Sequence, residues 1–290
     1  MAKRVGSLTE PEPNMTESRD SDVRARRYID VGSPDEIELP AGDVTEGVVR
    51  VADTVRRPHQ SQSFAVAAYL DHLERVGFDA SPRYLGLDAA GRDVLTFMPG
   101  DVAGDPPEPW ALTDALLASV ARLVTRLHEA SAGYDPLDEP FATGLRPGEL
   151  VTHMDVTPQN VVVRNGEAVG LIDFDLARPS TGLLDSLNTA MHWVPLRDPV
   201  DLRRGSEHLD QFRRLRIFAD AYGWTDAQRS RLPQIAAEGA TLSWSRMKSR
   251  AETLGGGWAR MWDEGVGDLT LRRREWLLAN ETRLVEALVG

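Results

Sequence analysis

The chain has 290 residues, a formal net charge of −12 and no cysteine. Those figures exclude disulfides and thiolate metal sites, and they argue against nucleic acid as a partner, because phosphate contacts need clusters of Lys and Arg. No apolar run approaches the ~20 residues that span a bilayer, and Lys3-Arg4 leads into no apolar secretory stretch, so a cytoplasmic protein with no membrane partner is expected.

Residues 1–34 are polar, mixed in charge and punctuated by Pro11, Pro13 and Pro34. They read as a disordered tail with a short helix near Val23–Ile29. Strand-like segments follow at Glu36–Leu39, Val48–Ala52 and Thr54–Arg57, the last two joined by a tight Ala52-Asp53 turn. Val66, Leu70 and Leu73 recur at helical spacing within Ser63–Arg75, and Gly77 is placed to end that helix. Tyr84–Leu87 and Val94–Met98 form a hairpin around Ala89-Ala90-Gly91. Thr113 caps a further helix, whose Leu116, Val120, Leu123 and Leu127 make one apolar stripe.

The most telling stretch is His153-Met154-Asp155-Val156-Thr157-Pro158-Gln159-Asn160, followed by Leu171-Ile172-Asp173-Phe174-Asp175. Between them lie two β-branched strands joined by Asn165-Gly166, a dipeptide that favours a two-residue type I′ turn. Such a turn sets Arg164 opposite Glu167, Val162 opposite Val169 and Asn160 opposite Leu171. Asp173 is then a diagonal neighbour of Asn160, roughly 7–8 Å away along the backbone. An amide oxygen and a carboxylate at that separation suit Mg²⁺, which keeps its remaining positions for water or substrate phosphates. Asp155, in the loop broken by Pro158, is placed to take or orient the proton of an attacking hydroxyl. Each Asp taken alone is equally a turn former. It is the His-x-Asp-x-x-x-x-Asn spacing together with the hairpin that favours chemistry.

This segment resembles the catalytic loop of the protein-kinase-like superfamily, with Ile172-Asp173-Phe174-Asp175 at its Asp-Phe-Gly position. It looks closest to the aminoglycoside phosphotransferase family, and Arg126-Leu127-His128 and Met98-Pro99-Gly100 are further family-like features. The resemblance covers roughly residues 36–200. It implies an α+β, two-lobed protein-kinase-like fold: a small antiparallel-sheet N-lobe with one helix over residues 35–98, and a larger, mainly helical C-lobe over 99–290. It further implies ATP or GTP with Mg²⁺ as cofactors, Asp155 as catalytic base, Asn160 and Asp173 as metal ligands, and His153 as a structural brace. Thr96–Gly100 becomes the hinge, with the backbone of Thr96 and Met98 on the adenine.

The chain also departs from the pattern. Arg56 is taken for the lysine on the third strand, with Arg57 and Arg50 as alternatives, and an arginine there can still grip phosphate in bidentate fashion. The glutamate that should face it is replaced by Val66, while Glu74 lies two turns further on. The loop Ala41–Gly47 lacks a Gly-x-Gly-x-x-Gly pattern. In the C-terminal third, helices are expected at about 200–222, 225–254 and 270–288. Gly255-Gly256-Gly257 breaks one of them, and Trp244, Trp258 and Trp262 are assigned to the core. Asp185, Asp198 and Glu264 are unranked acidic candidates for acceptor contact, and Asp185 is equally a candidate to brace the fold. Two functions remain: a kinase that phosphorylates a hydroxyl of an aminoglycoside-like or other small acceptor, or a pseudokinase-like binding or immunity module.

Overall fold

Alternating β-branched residues and one amphipathic helix build the first lobe. Its elements are β1 (Tyr28–Ile29), β2 (Ile37–Glu38), β3 (Val49–Val51), β4 (Thr54–Arg57), α1 (Ser63–Arg75), β5 (Tyr84–Asp88) and β6 (Asp93–Thr96). The computed structural model describes residues 28–29, 36–39, 47–136, 141 and 145–290. The strands form one sheet in the order β1-β5-β6-β4-β3-β2, antiparallel except where β1 runs parallel to β5. Tyr28–Ile29 is therefore strand, which corrects the end of the expected Val23–Ile29 helix. The rest of the expected tail lies outside the described residues, as does the Ala41–Glu46 part of the loop that lacks a glycine-rich pattern. Helix α1 has the expected bounds, buries Val66, Leu70 and Leu73, and is followed by Gly77 at φ +81°.

The second lobe is mainly helical. Helix α2 (Asp114–Ser131) starts where the Thr113 side chain accepts from the Leu116 amide, and its Leu116, Val120, Leu123 and Leu127 are fully buried. Each such side chain contributes about 1.5–3 kcal/mol. Two small strand pairs follow, β7 (Leu150–Thr152) with β10 (Arg178–Ser180), and β8 (Val161–Arg164) with β9 (Glu167–Leu171). Five helices then complete the lobe among the described residues that follow: α3 (Gly182–Trp193), α4 (Gln211–Tyr222), α5 (Asp226–Leu254), α6 (Gly256–Asp263) and α7 (Val266–Ala279), with α8 (Glu281–Val289) closing the chain. None of the described helices is long and apolar enough to cross a membrane.

Several expectations change. Helix α3 was not anticipated. Residues 200–210 are mostly loop, and α4 begins only after Asp210 caps it by accepting from the Phe212 and Arg213 amides. The expected 270–288 helix is two helices that meet at Asn280. The triple glycine does break the chain, with Gly255 and Gly256 at φ +65° and +55°. The three tryptophans are half-buried rather than core. Trp244 and Trp262 meet edge to face at 5.6 Å, and the Arg250 guanidinium lies 4.5 Å over Trp258.

The hairpin carries the most consequential correction. Arg164 does face Glu167, but Val162 faces Gly170 and Val161 faces Leu171, because a bulge at Val169 adds a residue to β9. Asn160 therefore meets Ile172, whose amide donates to the Asn160 carbonyl at 3.0 Å. Asp173 is the next residue along, one step nearer Asn160 than a regular ladder would place it. Gly170 sits at the bulge against the Met98 side chain, where a Cβ would collide.

Candidate active site

The loop that carries Asp155 is fixed by buried polar groups on three elements. His153 is fully buried; its Nε2 donates to the Ile172 carbonyl at 3.0 Å, its Nδ1 accepts from the Asp155 amide at 3.3 Å, and its ring lies 4.4 Å from that of Phe174. Burial keeps this imidazole neutral by lowering its pKa. The expected brace against the segment around Asp173 is what these contacts make.

Met154 adopts φ +61°, a left-handed conformation that costs an L-residue roughly 1–2 kcal/mol. Helix α3 holds it there. The Met154 amide donates to Asp185 Oδ1 at 2.7 Å, and Asn188 Nδ2 donates to the Met154 carbonyl at 2.9 Å. Asp185 is fully buried, and its Oδ2 accepts from His128 Nε2 at 2.8 Å. Burial opposes its ionisation, but the hydrogen bond and charge of His128 outweigh that and hold the carboxyl below the usual carboxylate range. The Trp193 indole adds a bond to the Val156 carbonyl at 2.9 Å. The strained residue beside Asp155 is thus held by hydrogen bonds at both its amide and its carbonyl.

Asn160 Nδ2 donates to Asp155 Oδ2 at 2.8 Å and to the Asp155 carbonyl at 2.9 Å. That orients the carboxylate and turns the Asn160 amide oxygen away from it. Asp173 sits at φ +62°, where β9 ends, and its Oδ1 is buried without a hydrogen-bond partner. Burial pushes its pKa up to about 6, aided by the Asp175 charge and opposed by Arg57. The Asp173 carboxylate, whose Oδ1 makes no hydrogen bond and lies 3.7 Å from Arg57, and the Asn160 amide oxygen are donors of the kind a divalent cation takes. Among the described residues no cluster of three His, Asp or Glu side chains offers a fuller cage. The pair suits a metal that takes its other ligands from water and phosphate.

Across the cleft the arginines divide. Arg56 is 2% exposed, donates to Thr54 Oγ1 at 2.7 Å and lies 3.8 Å from Asp88, so it is held within the lobe and does not join the other candidates. Adjacent residues of a strand face opposite sides. Arg57 consequently points the other way, bonded to Asp175 and 3.7 Å from Asp173. Gln60 Nε2 also donates to Asp175 at 3.1 Å. Val66 is buried and Glu74 pairs outward with Arg83; the acid opposite Arg57 is Asp175, from the other lobe.

At the hinge, the Thr96 amide is already bonded to the Arg83 carbonyl at 3.0 Å, so it is not offered to a ligand. The Met98 backbone makes no backbone hydrogen bond among the described residues. Gly100, at φ +150°, lets the hinge cross the hairpin, since a Cβ there would lie 2.7 Å from the Val163 carbonyl. Of the unranked acids, Asp198 caps a short turn by accepting from the Val200 amide, and Glu264 is exposed at the end of α6. On the acceptor side, Arg178 is depressed to about 10 by burial and by Arg246 and Arg250, with Asp185 and Asp155 acting the other way.

Comparison with known proteins gives a relative and a set of folds. No protein-family model matches the chain. The trifolitoxin immunity protein of Rhizobium leguminosarum bv. trifolii is 31% identical over 208 residues, which are 67% of this chain and 77% of that protein. A choline/ethanolamine kinase family protein from Mesorhizobium loti superposes with a TM-score of 0.58 at 13% identity, over 88% of this chain and 92% of that one. An aminoglycoside phosphotransferase from Alicyclobacillus acidocaldarius gives 0.53 at 14% identity, over 89% and 94%. An amicoumacin kinase solved with AMP-PNP and Ca²⁺ gives 0.53 at 13%, over 86% and 88%. At such identities the likeness to solved structures is one of fold: two-lobed and protein-kinase-like.

Proposed function

We propose, for a chain that belongs to the family of the trifolitoxin immunity protein and has the fold of the aminoglycoside phosphotransferases, that it transfers the γ-phosphate of ATP or GTP to a hydroxyl of a small polar acceptor. The observation that carries this reading is the pairing of Asn160 with Asp155 at 2.8 Å, with Asp173 one residue past the Ile172 whose amide bonds the Asn160 carbonyl. Asp155 accepts the hydroxyl proton as the acceptor oxygen bonds to the γ-phosphorus and the β–γ bridging bond breaks. Asn160 holds the Asp155 carboxylate in the orientation from which it takes that proton. Asn160 and Asp173 hold the metal, which when bound neutralises phosphate charge. Arg57, rather than Arg56, contacts the phosphates, exchanging its bond to Asp175 for one to the nucleotide. The Met98 backbone is left to meet the base; a fold relative solved with AMP-PNP supports nucleotide binding.

A second reading has its own support. The 31% identical relative is named an immunity protein, and Arg57 is closed onto Asp175. A magnesium-dependent rise in melting temperature with ATP, followed by turnover on a panel of acceptors read by mass spectrometry, separates the two. Transfer to any acceptor, lost in Asp155→Asn, upholds phosphotransfer. Nucleotide binding with no transfer to any acceptor favours the binding module.

A further inference from the structure

Pro158, three residues after Asp155, is one wall of a small cleft of about 20 Å³, above the roughly 10–15 Å³ that admits one water. Its polar walls are His192, Arg197, Arg203 and Ser206. Arg197 is 4% exposed, its Nε has no hydrogen-bond partner, and no carboxylate pairs with it among the described residues. Behind it on α7, Arg273 likewise has a buried Nε without a partner, and its Nη1 reaches only the Met191 sulfur at 4.0 Å. The two nearby acids are already engaged, Asp105 with Arg203 and Asp201 with Arg272. The His192 ring brings no negative charge and is itself kept neutral by burial and by the three arginines.

Buried cations are ordinarily paired, because removing a charge from water costs several kcal/mol that only a counter-charge offsets. Of the two guanidinium groups that line the cleft, Arg203 is paired with Asp105, while the buried Arg197 has no carboxylate within ion-pair distance among the described residues. We propose that this cleft is an anion-binding site, taking the carboxylate or phosphate group of a small ligand, with Arg197 as its principal contact and Arg203 at its mouth. A guanidinium presents parallel N–H donors that match either oxyanion. The Arg203 side chain is 38% exposed, so it can turn from Asp105 to the ligand without disturbing the core. Burial and Arg203 depress Arg197 to about 10, with the charges of Asp201 and Asp105 acting the other way.

The site does not depend on phosphotransfer, and its test is binding. Isothermal titration of the full chain with inorganic phosphate, and separately with malonate, is run at ionic strength held constant with potassium chloride. Saturable one-site binding of at least one probe is expected, and which one binds tells phosphate from carboxylate. Arg197→Met should weaken it about tenfold or more, as loss of a charged hydrogen bond implies. Arg203→Gln should weaken it several-fold, and Arg83→Met, a distant exposed control, should not change it. Without probe, Arg197→Met should melt at or above the wild-type temperature, because it removes an unbalanced buried charge; a merely structural arginine would give a lower one. Asp155→Asn should bind the probes as the wild type does, which separates failure of this site from failure of the transfer reaction. Absence of saturable binding by either probe, or binding indifferent to both Arg197→Met and Arg203→Gln, overturns the proposal.

Discussion

The two faces of the cleft are held in different ways. On the catalytic-loop face, His153, Asp185 and Trp193 are all at most 3% exposed and fix backbone atoms at 2.7–3.0 Å. On the sheet face, Arg57 is held by carboxylates that belong to the opposite lobe. The first arrangement is preorganised, since its donors and acceptors have no other partners to take. The second is exchangeable, since a phosphate competes directly for the same guanidinium. A loop fixed from within its lobe and an ion pair between lobes need different kinds of side chain, and the chain supplies both.

That contrast can be broken. The largest effect is expected at Asp155: Asp155→Asn should lower turnover about 10²–10⁴-fold while nucleotide affinity stays within experimental error, measured by steady-state kinetics and calorimetry. Next, Asp185→Ala should cost about 3–5 kcal/mol in denaturant unfolding, because it leaves His128 and the strained Met154 amide without their buried acceptor. The wild type should also lose stability in acid. The folded-state pKa of Asp185 lies below its unfolded one, so its contribution is present above the unfolded value and is lost as the pH falls through the folded one.

Arg57→Met should weaken nucleotide binding about tenfold, the worth of a charged hydrogen bond, with a much smaller effect on kcat. Arg56→Met should instead lower stability and leave nucleotide affinity alone. Reversed outcomes for these two variants would show that the clamp is misassigned. The smallest effect concerns pH. Burial and the Asp175 charge push the Asp173 carboxyl up to about 6, and the metal needs its ionised form, so apparent Mg²⁺ affinity should fall as the pH drops below that value, as read by metal-dependent thermal shift. A pH-independent affinity between 5 and 7 would place the metal elsewhere.

Local chemistry explains what was legible in the sequence. Asn165-Gly166 announces its turn, Thr113 its helix cap and Gly77 its helix end, because each is satisfied by residues close by in the chain. The bulge at Val169 was not legible: both strands are β-branched throughout, and only the packing of Met98 on Gly170 distinguishes the register. The choice of Arg56 over Arg57 failed for a related reason. One step along a strand exchanges its faces, and nothing in Thr54-Val55-Arg56-Arg57 says which side is the cleft. Asp185 was seen as an acid but not as the brace of Met154, since its partners lie 57 and 31 residues away. Helix α3 gave one signal, Thr181 as a cap accepting from the Leu184 amide. The clamp's acid was sought on α1 and lies instead at Asp175, where the sequence does show an acidic residue in place of glycine.

The most direct test of the fixed reaction centre is single-turnover transfer from γ-labelled ATP with Mg²⁺, in wild type and Asp155→Asn, with nucleotide affinity measured on the same preparations. The expected result is label on an acceptor from the wild type, and at least about a hundredfold slower transfer from the variant at equal affinity. Equal transfer rates from the two proteins, or tight nucleotide binding by the wild type with no label on any acceptor, would contradict the assignment of Asp155.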